Sequence, residues 1–466
     1  MSNAGNRAMR QFVTRSIHKA ILGALATWAI GLTPVAKAQS VAIDLAQGRA
    51  LARQAALQSD WTVAEALARA LLEVDPTDST ALSVMASVAT AQGEDALPYA
   101  RRAWQSADGE LQHYEAARLA ALAAQTAGRL TLAQWWLRRA DTVAPGPAAA
   151  RRNADDYRAL AARNPLHLTA RINIGRSDNL NGGSETAYNI IDGVPWVGIL
   201  DGSAQALAGT VAAADLRASY RQTPIRSITA RLSHQSVWLG DAAKAQAPGV
   251  TGRDFAQGLA ELGTAWTWQE PARSTSLSAS AGHTWVAGSP YQTAVQLGLT
   301  QRSAVSPDLT LRGSAFSDWK RGLETNFDDQ TLRFETGLDY AIGGALPGVL
   351  RLSASAHITG STVANRRSTG QSLSASYDLA TVFGPFTIGA DAGFFSADYS
   401  DYTVLVPVPG GRQDRGAQAA LRLGLPELRY GGFSPTLTLR HQSIDSNVSR
   451  FDRTTTGLEL GFVQNF

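Results

Sequence analysis

Cysteine is absent from the 466 residues. The chain therefore cannot form a disulfide, a thiolate metal site, a cysteine nucleophile or a lipid-modified N-terminal cysteine. Charged residues are scarce, at 17%, and the formal net charge of +3 is too small to indicate nucleic acid as a partner. No apolar run after residue 38 reaches the roughly 18 residues of a membrane-spanning helix. If the rest of the chain spans a membrane, it must do so as a β-barrel.

The first 38 residues have the pattern of an export signal. Basic residues precede an apolar segment at 20–32, and Ala36-Lys37-Ala38 supplies a small-x-small cleavage pattern. The apolar segment is too short to span a bilayer comfortably. The sequence therefore predicts a signal peptide over 1–38 and export from the cytoplasm of a Gram-negative bacterium.

Residues 39–164 predict a domain of helical hairpins. Three related blocks start at Ala64, Ala96 and Ala133, each with small residues at helical spacing. The spacing between blocks is close to the 34 residues of tetratricopeptide repeats. We interpret each block as the second helix of a hairpin, with residues 148–164 as a polar capping helix. An ordinary alanine-rich bundle is the alternative.

Residues 165–466 predict a transmembrane antiparallel β-barrel, which makes the fold class an α + β multidomain chain. Apolar residues recur at every second position, as in VLRLSASAHI at 349–358, and the second face is polar or small. A soluble β-sandwich would need a packed core that this second face does not provide. About 14 segments of this kind begin near residues 166, 206, 225, 255, 273, 291, 307, 330, 348, 370, 385, 414, 434 and 455.

The connections between these segments are expected to alternate in length. Short turns would face the periplasm, beside the helical domain, and long loops would face the exterior. The long loops are expected at 176–204, 241–254, 318–329 and 399–416. The localisation that follows is the outer membrane, with the N-terminal domain in the periplasm.

The polar face of the predicted strands carries charges of both signs. These charges either pair across the wall and hold it rigid, or line a path for a polar cargo. The histidines are scattered and have no metal-ligand spacing, so we expect no enzyme activity, metal or cofactor. The candidate lumen charges are Arg171, Asp215, Arg217, Arg231, Glu261, Arg312, Arg333, Glu335, Asp339, Arg351, Asp378, Asp391, Arg422, Arg440 and Glu459.

The last ten residues, GLELGFVQNF, predict a barrel insertion signal. Leu458, Leu460, Phe462 and Phe466 form one apolar row that ends on an aromatic residue. Such a strand suits contact with outer-membrane lipids on one face and water on the other. We expect the barrel assembly machinery of the outer membrane to recognise this strand.

Two short motifs resemble the surface lipoprotein assembly modifier family, the outer-membrane translocons of type XI secretion. RSDNLN at Arg176–Asn181 is similar to the Ser-Asn-x-Asn opening of that family, with Asp178 inserted. The stretch from Ser443 to Phe466 is similar to its closing Asp-Ser-Asn run, Asp-Arg pair and last strand. A signal peptide, a small tetratricopeptide-like domain and a barrel of about 14 strands also match its architecture.

The resemblance implies a translocon with no catalytic residues. The helical domain would bind a lipoprotein or a soluble secreted protein in the periplasm, and the barrel would pass that cargo to the cell surface. Two alternatives stay open on the sequence: a polysaccharide-export porin, which also joins repeats to a barrel, and a plain diffusion porin.

Overall fold

The computed structural model describes residues 44–428, 430 and 432–464, and omits the side chains of 196, 197, 463 and 464. The predicted signal peptide and Phe466 lie outside these residues. The chain divides between Asn164 and Pro165 into two compact units, a helical unit and a barrel unit. Within the described part, no helix has both the length and the apolar character needed to cross a bilayer.

Seven helices form the described part of the helical unit. Aspartates Asp44, Asp60 and Asp78 begin three of them by accepting a backbone N–H of the first turn. Gly93 and Gly128 follow two helices with φ of 75° and 71°, a backbone conformation that glycine adopts without strain. The helices are α1 Leu45–Leu57, α2 Trp61–Val74, α3 Ser79–Gln92, α4 Leu97–Gln105, α5 Glu110–Thr126, α6 Leu130–Thr142 and α7 Pro147–Arg163.

The helices pack as successive antiparallel hairpins around alanine. Ala64, Ala100, Ala117 and Ala140 are buried to 0% exposure, and such small side chains let neighbouring helices approach closely. The three predicted repeat blocks correspond to α2, α4 and α6, the second helices of their hairpins, and the predicted capping helix is α7. The tetratricopeptide-like architecture is thus confirmed.

The barrel unit is a closed antiparallel barrel of fourteen strands in the described residues. Every barrel strand begins within three residues of its predicted start, so this part of the fold class is confirmed. The strands are β1 Leu166–Ser177, β4 Gly209–Arg221, β5 Arg226–Leu239, β6 Gln257–Gln269, β7 Arg273–Val286, β8 Ser289–Ala304, β9 Leu309–Gly322, β10 Asp328–Ile342, β11 Gly348–Ser361, β12 Ser368–Leu379, β13 Thr387–Tyr399, β14 Arg412–Gly424, β15 Phe433–Ser446 and β16 Arg453–Gln464.

The first loop adds a small hairpin, β2 Tyr188–Ile191 and β3 Val194–Ile199. We call the end of the barrel that carries this loop the loop end, and the opposite end, where β1 begins, the turn end. The predicted alternation of loop lengths holds only in part. The connection of β9 to β10, expected to be long, is short because both strands extend into it and leave only Leu323–Phe327. The loop-end connection of β7 to β8 is only Ala287–Gly288, a tight turn with positive φ at both residues.

One face of the barrel wall is apolar and strongly exposed. Leu232 on β5, Leu262 on β6 and Phe394 on β13 are 58%, 67% and 66% exposed. Tyr220 and Trp268 at the turn end, and Trp238 and Trp319 at the loop end, are exposed on the same face, as in the aromatic girdles of membrane barrels.

The opposite face is polar, and its side chains converge. The Arg422 guanidinium on β14 reaches Asp378 on β12 at 2.7 Å, passing over β13. Side chains from strands that are not adjacent meet in this way on the concave side of a wall. The polar face is therefore the lumen and the apolar face points outward, which is the arrangement of an outer-membrane barrel.

Candidate functional sites in the barrel and the helical groove

The strand register places all the candidate lumen charges on the inner face. Residues that are paired directly across two antiparallel strands share a face. Arg171 is opposite Asp215, and Arg217 is opposite Arg231, which is in turn opposite Glu261. The same reasoning, followed around the wall, connects Arg312, Arg333, Glu335, Asp339, Arg351, Asp378, Asp391, Arg422, Arg440 and Glu459.

Two groups of these charges, and one separate pair, form ion pairs. In the smaller group, the Asp215 carboxylate accepts from Arg217 Nε at 2.8 Å and from Arg231 Nε at 2.7 Å. Arg333 and Glu335, two residues apart on β10, form a separate pair at 3.2 Å.

The larger group extends along the inner face of the wall, from β8 to β14. Asp339 lies 2.9 Å from Arg312 and 3.6 Å from Arg302, a lumen residue that the sequence analysis did not single out. The period of β8 could have identified it, because Gln296, Gly298 and Thr300 precede Arg302 on the same face. The group continues through Arg351 with Asp378, Asp378 with Arg422, and Arg422 with Asp391.

Other candidate charges are not brought into ion pairs. Among the residues that the structure describes, Arg171, Glu261, Arg440 and Glu459 have no oppositely charged group within 4.0 Å. A purely structural role, in which every lumen charge stiffens the wall by pairing, therefore does not account for these four residues.

The serine and histidine neighbours on β5 are not arranged as a catalytic pair. Ser233 and His234 point to opposite faces of β5, as their spacing implies, and the His234 imidazole instead contacts the Ser236 hydroxyl at 3.1 Å. Within residues 44–428, 430 and 432–464, no three His, Asp or Glu side chains are grouped so that they could hold a metal ion.

The two motifs that carry the family resemblance meet at the loop end of the seam between β1 and β16. Along this seam, consecutive residues of β1 pair with residues of β16, from Ile172 with Phe462 to Ser177 with Gly457. Just beyond it, the Asp178 carboxylate accepts from the Thr456 amide at 2.7 Å. Asn179 donates to the Thr454 carbonyl at 3.3 Å and to the Gly183 carbonyl at 2.9 Å. Residues about 275 positions apart in the chain are joined here.

The opening motif also shapes the first loop. The Asn181 side chain donates to the Ser203 and Gln205 carbonyls at 2.9 and 2.8 Å, and it accepts from the Leu207 amide at 2.9 Å. One amide side chain thus joins the two ends of this loop, which is why asparagine, with donors and an acceptor, suits the position.

The closing motif fixes the last loop against the first. Asn447 accepts from the Gln413 amide at 2.8 Å and donates to Asp192 at 3.0 Å. The Asp452 carboxylate accepts from the Ser446 amide at 2.6 Å. Burial raises the pKa of Asp452 above its ordinary value. Both motifs therefore act in the closure of the barrel and the folding of its loops.

The loops at this end fold inward. Val237 and Leu239, on the inner face of β5, are buried against Leu207 of the first loop. Ala243 of a short helix in the second loop, α8 Asp241–Gln246, joins the same cluster. Sequence periodicity did not indicate this packing, because loop residues carry no period.

The residues of the predicted insertion signal lie on the outer face as far as the structure describes them. Leu458 and Leu460 are directly opposite Leu439 and Leu437 of β15, and Phe462 is opposite Pro435. Together they form an outward apolar row. Recognition of this row by an assembly machine stays a prediction.

The helical unit contains a groove of about 730 Å³. Its walls come mainly from α1, α3 and α5, the first helices of the hairpins, and from α7. Leu57 and Leu122 line the groove and are 87% and 43% exposed. Ser83 and Ser87, one turn apart on α3, also face it. Exposed leucines in a concave surface mark a site for binding an apolar group.

Charges at the groove are paired across its helices. Arg53 on α1 lies 2.8 Å from Glu115 on α5, and Arg118 on α5 lies 2.8 Å from Asp156 on α7. Arg118 also donates to Asn153 at 2.7 Å. These contacts hold the first helices in register and leave the groove without net charge from these four groups, so its affinity is expected to rest on apolar contact.

Comparisons with known proteins leave the family open. No family profile matches the sequence, and no curated protein matches it significantly. The N-terminal domain of stress-induced protein-1 from C. elegans is similar to 23% of this chain over 90% of its own length, at 22% identity and a TM-score of 0.20.

Two solved barrels are similar to 64% of this chain over 98% of their own length. They are OccAB3 of Acinetobacter baumannii, at 9% identity and a TM-score of 0.36, and a bacterial polysaccharide outer membrane secretin, at 8% and 0.35. Values this low carry no argument about function, and the fold assignment rests on the helices and the strand register themselves.

Proposed function

We propose that this protein is an outer-membrane translocon that delivers a surface lipoprotein or a soluble secreted protein to the cell surface. The observation that carries the proposal is the helical groove with its exposed Leu57 and Leu122, in the same chain as a barrel whose lumen is polar. A diffusion channel has no use for a groove that binds an apolar segment, whereas a protein conductor must first hold its cargo.

Connectivity supports the orientation that the proposal requires. The last helix ends at Arg163 and β1 begins at Leu166, at the turn end of the barrel. Short turns face the periplasm in outer-membrane barrels. This supports a periplasmic position for the helical unit, where an exported cargo arrives, with the loop end facing the exterior.

The expected cargo segment is an amphipathic helix or an extended peptide. Repeat domains bind such segments along the concave surface that their first helices form. The lumen, with charges of both signs, suits a hydrated polypeptide. Insertion of the barrel would use the outward row at Leu458, Leu460 and Phe462, extended to Phe466.

A porin for polysaccharide or small solutes is the second candidate, and the polar lumen alone favours it equally. Comparison of surface and periplasmic proteomes between a deletion strain and its complemented parent separates the two. We expect one or a few proteins to disappear from the surface and accumulate in the periplasm. An unchanged surface proteome, with altered polysaccharide export or solute uptake, would contradict the translocon and support the porin.

A further inference from the structure

The lumen wall between β9 and β15 contains a recess of about 330 Å³. Its charged lining is four arginines and one aspartate: Arg312, Arg351, Asp391, Arg422 and Arg440. The Gln418 amide and the hydroxyls of neighbouring serines complete its polar surface. Nearly every polar group at this recess can donate a hydrogen bond, so its chemistry favours an acceptor-rich, negatively charged ligand.

The charges at the recess do not balance. Arg302, Arg312, Arg351 and Arg422 share the carboxylates of Asp339, Asp378 and Asp391. Arg440 adds a fifth guanidinium that has no carboxylate within 4.0 Å in the described part of the chain. Five arginines thus face three aspartates, and with Glu459 of the neighbouring strand β16, which is opposite Thr438, one positive charge remains in excess.

The positions of the paired arginines are fixed by the wall. Arg422 is held between Asp378, at 2.7 Å, and Asp391. Gly389 on the neighbouring strand makes room for it, because a Cβ there would lie 2.9 Å from Arg422 Nη2. A guanidinium held in this way does not have to be ordered when a ligand binds, which lowers the entropic cost of binding.

Two guanidinium groups retain unused donors. The Nε atom of Arg312 is buried and has no hydrogen-bond partner among the described residues. Arg440, on β15, is exposed to the lumen and lines the same recess. A planar guanidinium offers paired N–H donors that match the oxygens of a phosphate or a carboxylate.

We infer that this recess binds an oxyanion, a phosphate or carboxylate group, with Arg440 as the guanidinium that completes its coordination. The ion pairs of Arg312, Arg351 and Arg422 form a fixed basic floor, and Arg440 closes on the ligand from the adjacent strand. The site does not depend on protein translocation and is a property of the barrel itself.

Equilibrium dialysis of the purified full-length protein with labelled inorganic phosphate tests the site. We expect saturable binding at low ionic strength that Arg440→Gln weakens at least tenfold, because a charged hydrogen-bonding partner is lost. Arg440→Lys should retain part of the affinity, since it keeps the positive charge but loses the paired N–H donors of the guanidinium. Each variant is first checked for a heat-modifiable, folded barrel.

The matched control is Arg171→Gln. Arg171 is also an exposed, unpaired lumen arginine, but it lies on β1 nearer the turn end and does not line the recess. We expect phosphate affinity to be unchanged in this variant. Equal losses in both glutamine variants would show only a general attraction of anions to the lumen and would overturn the site, as would the absence of saturable binding to the wild-type protein. Neither result bears on the translocon, which a surface proteome tests separately.

Discussion

Replacing Leu232 with arginine is expected to destabilise the folded barrel in a membrane strongly. Leu232 lies at the middle of β5 on the apolar outer face and is 58% exposed. An arginine at the bilayer midplane costs about 2–4 kcal/mol. This is a large part of the stability of a typical domain, which is about 5–15 kcal/mol. Urea titration of the barrel refolded into lipid vesicles should show a lower unfolding midpoint and less heat-modifiable protein.

The neighbouring residue supplies the control. Ser233 points into the lumen, directly opposite Asp215, so Ser233→Arg places the same charge in water beside a carboxylate. We expect its free energy of unfolding to stay within about 1 kcal/mol of the wild-type value, the range of an exposed ion pair. Equal midpoints for the two arginine variants would show that the faces of the wall have been assigned wrongly.

Charging the helical groove is expected to abolish delivery of the cargo while leaving the barrel intact. Leu57 and Leu122 are exposed groove residues, so Leu57→Asp with Leu122→Asp removes apolar contact without disturbing the core. Full burial of one leucine is worth about 1.5–3 kcal/mol. We expect the double variant to lower the surface amount of the proteins that a deletion strain loses by at least tenfold.

A leucine outside the groove tests whether the effect is local. Leu111 on α5 is 52% exposed but does not line the groove. Leu111→Asp makes the same chemical change on the same unit and should leave surface delivery at the wild-type level. A comparable loss from Leu111→Asp, or normal delivery by the double variant, would remove the groove from the mechanism.

The strands were predictable because the environment imposes a period on them. Lipid on one side and water on the other require alternating side chains, so strand starts such as Leu166, Arg273 and Gly348 could be read from the sequence to the residue. The end of β9 could not. The strand continues to Gly322, four residues beyond Asp318, where the long loop was expected to begin.

The sequence predicted which residues belong to the candidate sites better than it predicted which of them contact one another. The alternation of side chains along each strand placed Arg351, Asp378 and Arg422 on one face. It does not show that Arg422 reaches across a strand to Asp378. Nor does it show that Arg440 is left unpaired, because pairing depends on the stagger of strands around the barrel. The contact of Asn179 with Thr454 likewise depends on barrel closure, which joins the two ends of the chain.

Site-specific photocrosslinking in living cells tests most directly whether one cargo uses both the groove and the lumen. A photoreactive residue replaces Leu122 in the groove or Gln418 on the inner face of β14, with Leu111 and the outward Leu232 as controls. The account predicts that the same exported protein is captured from Leu122 and from Gln418, and from neither control. Capture of a protein at Leu122 while Gln418 captures none, under conditions in which that protein reaches the cell surface, would contradict passage of the cargo through the barrel.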